Sequence, residues 1–254
     1  MKKGLVPILI CILASTLISS CKKNTYNVTE RREVTDKAFL KIAYYVGNAR
    51  NPFAHVKING QRISPNLNYN TPFPGGGLNT LGSNNSDFLT ITPGMNSLVV
   101  ALPKAGTEED SVKIFESQFD FKSGERQTLF LVDSFPTITG VLVNNETPSP
   151  TDSGKVRIKF VHLMPNVPVV DLYRGGVLVK ASIPYKGSTE FVDVFAGNQA
   201  YSVREPGSTT NLNGASGAGN NINPAAGRIY TFFSRGFKGK TGALAPNVSA
   251  IVIK

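Results

Sequence analysis

The sequence predicts an all-β protein: two tandem antiparallel β-sandwich domains of the immunoglobulin-like kind, following a lipoprotein signal peptide. Three observations predict it. The two halves of the chain repeat one another, apolar residues recur with a period of two inside the repeated blocks, and Gly, Pro and Asn clusters separate those blocks. No stretch sustains a helical period. The closest case, Asp110 to Phe121, is rich in β-branched and aromatic residues and carries Val112, Ile114 and Phe119. A closed barrel for each repeat is the alternative architecture.

The N-terminus comes first. Lys2 and Lys3 precede an uncharged apolar run from Leu5 to Ile18, too short to span a bilayer comfortably. Leu17-Ile18-Ser19-Ser20-Cys21 then resembles a lipobox, in which small side chains admit the peptidase and the cysteine thiol takes the lipid. Residues 1–20 are therefore expected to be a lipoprotein signal peptide and Cys21 the lipid attachment site, a palmitate-type anchor that fixes the protein to a membrane. Cys11 leaves with the signal peptide and Cys21 is consumed by lipid. The mature chain is then expected to have no thiol for disulfides, nucleophilic catalysis or metal binding.

Residues 21–36 read as a polar tether, 37–143 as the first repeat, 144–153 (NNETPSPTDS) as a Pro-rich linker and 154–254 as the second repeat. Leu40 to Gly60 aligns without a gap on Val156 to Gly176, pairing Leu40 with Val156, Ile42 with Ile158 and Tyr44 with Phe160. Asp87 to Pro103 aligns on Glu190 to Pro206, and Ser123 to Val132 on Ala226 to Arg235, both with an offset of 103. Val156, Ile158 and Phe160 alternate with Arg157 and Lys159, which places a basic face opposite the core face. Asn59-Gly60, Gly175-Gly176, Pro93-Gly94, Ala196-Gly197 and Ser123-Gly124 read as turns. Thr71 to Asn85, with its Gly75-Gly76-Gly77 run, and Gly207 to Ala226 read as flexible surface loops able to carry binding.

These blocks resemble the bacterial domain-of-unknown-function family 4397. The resemblance rests on VRIKFVHLMPNVPVVDLYRGGVLV, then FVDVFAGNQAYSVREPG, then AGRIYTFFSRG, and covers Val156 to Phe237 best. In the first repeat Val46 stands where His162 does, Ala49 for Pro165 and His55 for Asp171. The resemblance implies an exported β-sandwich module, often lipid-anchored and in tandem, and supplies no catalytic residue.

The chemistry is sparse. With only two histidines, a histidine-rich metal site is not expected, and no cofactor is called for. His162 with Asp171 would suit acid/base work, but a histidine hydrogen-bonded to the turn backbone explains the position better, and no G-x-S-x-G nucleophile is present. Glu108-Glu109-Asp110 reads as a solvated turn. Tyr69 and Phe73, with Phe53, form the best candidate platform for stacking a sugar, in a chain without Trp. The formal charge is +10, which the loss of Lys2 and Lys3 lowers by two to +8. That suits anionic head groups or acidic glycans, while the absence of a concentrated basic motif disfavours nucleic acid.

The expectation is a non-enzymatic cell-envelope lipoprotein, a scaffold or adhesion module whose partner is an envelope protein or polysaccharide. The alternative is a glycan-binding accessory lipoprotein of an uptake system. Ligand contacts would fall on Tyr69, Phe73, His162 and Asp171. Lys22-Lys23-Asn24 after Cys21 lacks an acidic run, which favours the periplasmic face of the outer membrane.

Overall fold

A computed structural model describes residues 36–254 except Ala49 and Glu108. The expected signal peptide, Cys21 and nearly all of the tether lie outside the described residues. The first repeat contributes β1 (Ala38–Tyr44), β2 (His55–Ile58), β3 (Gln61–Arg62), β4 (Thr71–Phe73), β5 (Gly77–Leu78), β6 (Leu89–Ile91), β7 (Gly94–Pro103), β8 (Asp110–Phe121), β9 (Arg126–Ser134) and β10 (Thr137–Asn144). The second contributes β11 (Lys155–His162), β12 (Val169–Arg174), β13 (Val177–Pro184), β14 (Val192–Phe195), β15 (Gln199–Arg204), β16 (Asn220–Ile222), β17 (Ile229–Arg235) and β18 (Asn247–Val252). Asn59-Gly60 and Gly175-Gly176, all at positive φ, close the equivalent β2–β3 and β12–β13 hairpins. Two-residue turns of this kind match the twist of the strands they join.

Each repeat is a sandwich of two open sheets, not a barrel. The outer sheets run β3-β2-β7-β8 and β13-β12-β15-β16; the inner ones run β10-β9-β1, with β4 and β6 sharing the far edge of β1, and β14-β11-β17-β18-β5. The outer sheets are antiparallel throughout, and each inner sheet has one parallel pair, β1 with β9 and β11 with β17. These pairs join the first inner strand of a repeat to a late one, a long-range partnership that alternation alone does not specify.

The repeat offsets reproduce the outer-sheet register. His55 faces Ala101 and Asp171 faces Arg204, as offsets of 116 and 103 require. In the inner sheet the first strand is displaced. Leu40 faces Leu89 while Ile158 faces Val192, so the equivalent of Leu40 is Ile158, at an offset of 118, rather than Val156. The equivalent of His162 is Tyr44, not Val46. Two extra residues lie between β1 and β2, and a strand shifted by two keeps the same face inward, so the apolar pattern does not register the slip.

Three apolar cores follow. Leu40, Ile42, Val56, Leu98, Val100, Leu129 and Leu131 fill the first sandwich, and Ile158, Phe160, Leu172, Tyr201, Val203, Tyr230 and Phe232 fill the second. The third lies between the inner sheets: Ala43, Tyr45, Phe130 and Val132 of the first repeat pack on Val161, Leu163, Ile229, Phe233 and Ile251 of the second. The Phe233 ring meets Tyr45 at 4.8 Å and Phe130 at 5.2 Å between centroids. The described residues, 36–254, accordingly form one compact unit of four stacked sheets.

This packing alters three expectations. The inner sheets are buried on both faces over much of their length, so the basic face expected opposite the core is only partly solvated. Lys41 is fully buried, donates to the Asn85 carbonyl at 3.3 Å, and has its pKa lowered to about 8 by desolvation. The linker is pinned: Asn145, 1% exposed, donates to the Thr128 hydroxyl at 2.8 Å and accepts from the Thr231 hydroxyl at 2.6 Å, joining equivalent threonines of the two repeats. Thr71 to Asn85 is no free loop, because β5 crosses to pair with β18 of the other repeat. Within Gly207 to Ala226, β16 pairs with β15, and Asn213 is buried, bonding the backbone at Tyr201 and Val203.

The glycine run is a packing requirement: a Cβ on Gly77 would lie 1.8 Å from the Ala250 carbonyl oxygen. Gly77→Ala is expected to cost about 1–3 kcal/mol in urea unfolding by forcing β5 off the sheet; an unchanged midpoint would contradict this pairing.

Candidate functional site

His162 is buried at the end of β11. Its Nε2 donates to the Val167 carbonyl at 2.7 Å, and its Nδ1 accepts from the Ser234 hydroxyl at 2.8 Å. Burial lowers its pKa to about 4, so the ring is neutral and holds the turn before β12. Asp171 does not meet it. That carboxylate accepts from the Ser182 backbone at 2.7 Å, where β12 and β13 slip register and Ser182 has φ 55°.

The histidine–carboxylate contact instead forms in the first repeat, between His55 and Asp110 at 2.8 Å, with Lys57 on the other Asp110 oxygen at 2.8 Å. The Lys57 hydrogen bond is the leading cause that holds the Asp110 carboxyl below its ordinary range. The cluster ties the start of β8 to β2. Glu108 lies outside the described residues, and Glu109 pairs with Lys104 at 2.9 Å. Among the described residues no group of three or more His, Cys, Asp or Glu gathers as metal ligands, and no helix is long and apolar enough to cross a membrane.

The aromatic platform does not assemble. Tyr69 is 4% exposed with its ring in the core between the inner sheets, Phe73 is half-buried against the first core, and only Phe53 is exposed. Stacking a sugar needs an open ring face, which Tyr69 and Phe73 do not offer.

What the fold does build is a set of clefts at one end. β1 and β9 run parallel, as do β11 and β17. Asp133, near the end of β9, accepts from Tyr185 and pairs with Lys186 at 3.0 Å, and the Lys186 backbone bonds the His162 carbonyl. The C-terminal ends of these four strands therefore share one end of the stack, the loop end. Ala38, the start of β11 and the linker lie at the other, about 20 Å away along a seven-residue strand.

The first cleft is an apolar mouth of about 250 Å³ between the sheets of the first sandwich, lined by Tyr44, Val46, Pro52, Leu102, Ile114 and Phe135. In the second repeat the position of Val46 is taken by Met164, which with Val167 is buried in the sandwich core. A second cleft of about 350 Å³ lies beyond Asn48 and Phe135, against Phe237 and Lys240. A third, also about 350 Å³, is polar and spans the repeats, with Asn51, Asn68, Tyr69, Asn70 and Asn79 from the first and Arg235 and Asn247 from the second. Of the expected ligand residues, Tyr69 lines one of these three clefts, and Phe73, His162 and Asp171 line none of them. Arg235 had no signal in the sequence beyond its place at a strand end.

The profile of a family described as "Domain of unknown function (DUF4397)" matches residues 45–173, from the first repeat into the second. No curated protein matches the chain. Among solved structures, a leucine-rich repeat protein from Bacteroides thetaiotaomicron VPI-5482 is 16% identical with a TM-score of 0.18; the match covers 77% of this chain and 26% of that one, so the chain spans about a quarter of its length. A structure described as "a putative cell adhesion protein from Bacteroides uniformis ATCC 8492" is 10% identical with a TM-score of 0.20, over 85% of this chain and 98% of that one. Likenesses at these TM-scores carry no argument about this chain.

His162 should set part of the acid response. With its pKa near 4 in the fold against 6.5 in the open chain, the unfolded state binds more protons between those values, so stability falls as pH drops through that window. His162→Asn is expected to flatten this component of unfolding midpoints between pH 6.5 and 4. A slope identical to that of the parent would contradict the buried neutral ring.

Proposed function

The chain belongs to the DUF4397 family, and from that membership we propose that it is a non-enzymatic cell-envelope lipoprotein that acts as an interaction module. Cys21 carries the lipid, the outer membrane holds it, and the lack of an acidic run in Lys22-Lys23-Asn24 favours the periplasmic face. The observation that carries this reading is the polarity of the body. The three clefts described above open at the loop end, while the chain joins the body at Ala38, at the opposite end. An anchor before Ala38 tethers the body by the end opposite these clefts and leaves the loop end for a partner. The expected acid/base pair supports it too, since His162 and Asp171 are each taken up by backbone groups in separate turns.

The loop end also has the chemistry of a contact surface. Phe53 and Phe135 are about half exposed there, beside Asn48, Arg50 and Lys240. Aromatic rings and arginine are enriched in protein-binding patches, with polar groups at the rim. The rigid stack beneath them limits the ordering cost of association.

Photo-cross-linking residues placed at Phe53 and Phe135 are expected to capture an envelope partner in cells. The same residues at Met95 and Phe195, exposed at the entry end, are expected to capture none. Adducts only from the entry end, or turnover of a hydrolase substrate abolished by His162→Ala, would overturn the proposal.

A further inference from the structure

The polar cleft holds a buried cation that no acid among the described residues offsets. Arg235 is 5% exposed, yet its bonds go to neutral acceptors: Nε donates to the Ser249 hydroxyl at 2.9 Å and Nη2 to the Asn79 carbonyl at 3.3 Å, and the Tyr69 hydroxyl also accepts from the guanidinium, with the Tyr69 ring 5.9 Å away. No carboxylate among the described residues pairs with it. Arg126, Arg157 and Lys186 each have one, in Glu146, Asp193 and Asp133. Lys41 is also buried without an acid in bonding distance, but an amine can shed its proton and its pKa has fallen accordingly. A guanidinium cannot. A buried cation with no counter-ion is costly unless an anion joins it.

The amides around Arg235 are also underused. Asn51 accepts from the Tyr69 backbone and Asn68 from the Thr71 hydroxyl, which leaves the Nδ2 donors of both without an acceptor. The Asn70 side chain makes no hydrogen bond, and its Oδ1 is buried without a partner. Left-handed backbone accounts for asparagine at 51, 70 and 79, with φ of 43°, 71° and 58°, but not at 68. Unpaired amide donors side by side suit hydroxyl groups, which accept as well as donate. About 350 Å³ lies within the range of small-ligand sites.

We propose that this cleft binds a carboxylate-bearing sugar residue, the carboxylate opposite Arg235 and the hydroxyls on Asn51, Asn68 and Asn70. The inference deepens the interaction-module reading and rests on it, by naming what one cleft of the loop end takes. It also makes the site a property of the packed pair, since Arg235 comes from the second repeat and the three amides from the first. Substrate chemistry is not involved; the sugar is held, and a neutral residue of the same shape would leave Arg235 without its anion.

The test is calorimetric titration of the full chain in detergent micelles with short oligomers of glucuronate, galacturonate, mannuronate and N-acetylneuraminate, each beside its carboxyl-reduced neutral counterpart. At least one acidic oligomer is expected to bind at least tenfold more tightly than its neutral form. Asn70→Asp, which sets a protein carboxylate in the cleft, and Asn68→Leu are each expected to weaken that binding at least tenfold with an unchanged melting temperature. Arg235→Met should abolish it, and because Arg235 is buried the two asparagine variants keep the test sound if that variant fails to fold. The proposal is overturned if no acidic oligomer binds, if neutral oligomers bind equally, if both asparagine variants bind as the parent does, or if inorganic sulfate competes mole for mole. Partner capture from Phe135 in the absence of saccharide binding would remove this inference and leave the interaction module standing.

Discussion

The structure depends on the burial of one inner sheet against the other. A sandwich normally offers its outer faces to water, and each repeat does so on one side only. On the other, Phe233 of the second repeat sits between Tyr45 and Phe130 of the first, and rings of this size carry much of the apolar area that a sheet interface can bury. Once that contact exists, every polar group trapped beside it needs a partner or must lose its charge. Asn145 bridges Thr128 and Thr231, and Lys41 has a lowered pKa over the ring of Phe88. The crossing strand β5 follows the same logic, since the edge of β18 is covered by the neighbouring repeat instead of being left open.

That contact also sets what the molecule can present. It aligns the two repeats so that the ends of β1, β9, β11 and β17 lie together, and the connections after them form a single loop end. The polar cleft exists only because Asn51 to Leu81 of one repeat are held against Arg235 to Asn247 of the other. The apolar mouth reflects divergence between the repeats. The second repeat buries Met164 and Val167 in its own sandwich, whereas in the first Val46 is buried but Phe135 is half exposed beside the apolar mouth.

Most of the architecture was legible in the sequence because strand chemistry is local. Period-two alternation and the Asn-Gly and Gly-Gly hairpins led to the strands, and the offsets between repeated blocks agree with the equivalent outer-sheet pairs that the structure forms, His55 with Ala101 and Asp171 with Arg204. The two-residue slip of β1 was hidden because parity is all that an apolar pattern records. The second apolar face of the inner sheets was present, in Ala43, Tyr45, Val161 and Leu163, but a strand buried on both sides has no polar face to contrast with it. The parallel pairs and the destination of β5 depend on long-range partners.

The site was less legible for the same reason. Tyr69 was singled out for its ring, and it does line a cleft, but as a buried wall beside an arginine 166 positions away in sequence. Arg235 ends an ordinary strand, and its missing counter-ion is a fact of three dimensions. The measurement that tests the inter-repeat contact most directly is scanning calorimetry of the parent and Phe233→Ala. One transition with equal calorimetric and van't Hoff enthalpies is expected for the parent. In the variant both repeats should lose stability together, by about 3–5 kcal/mol. Two separable transitions in the parent, with only the second displaced in the variant, would contradict the contact on which the fold and the cleft both rest.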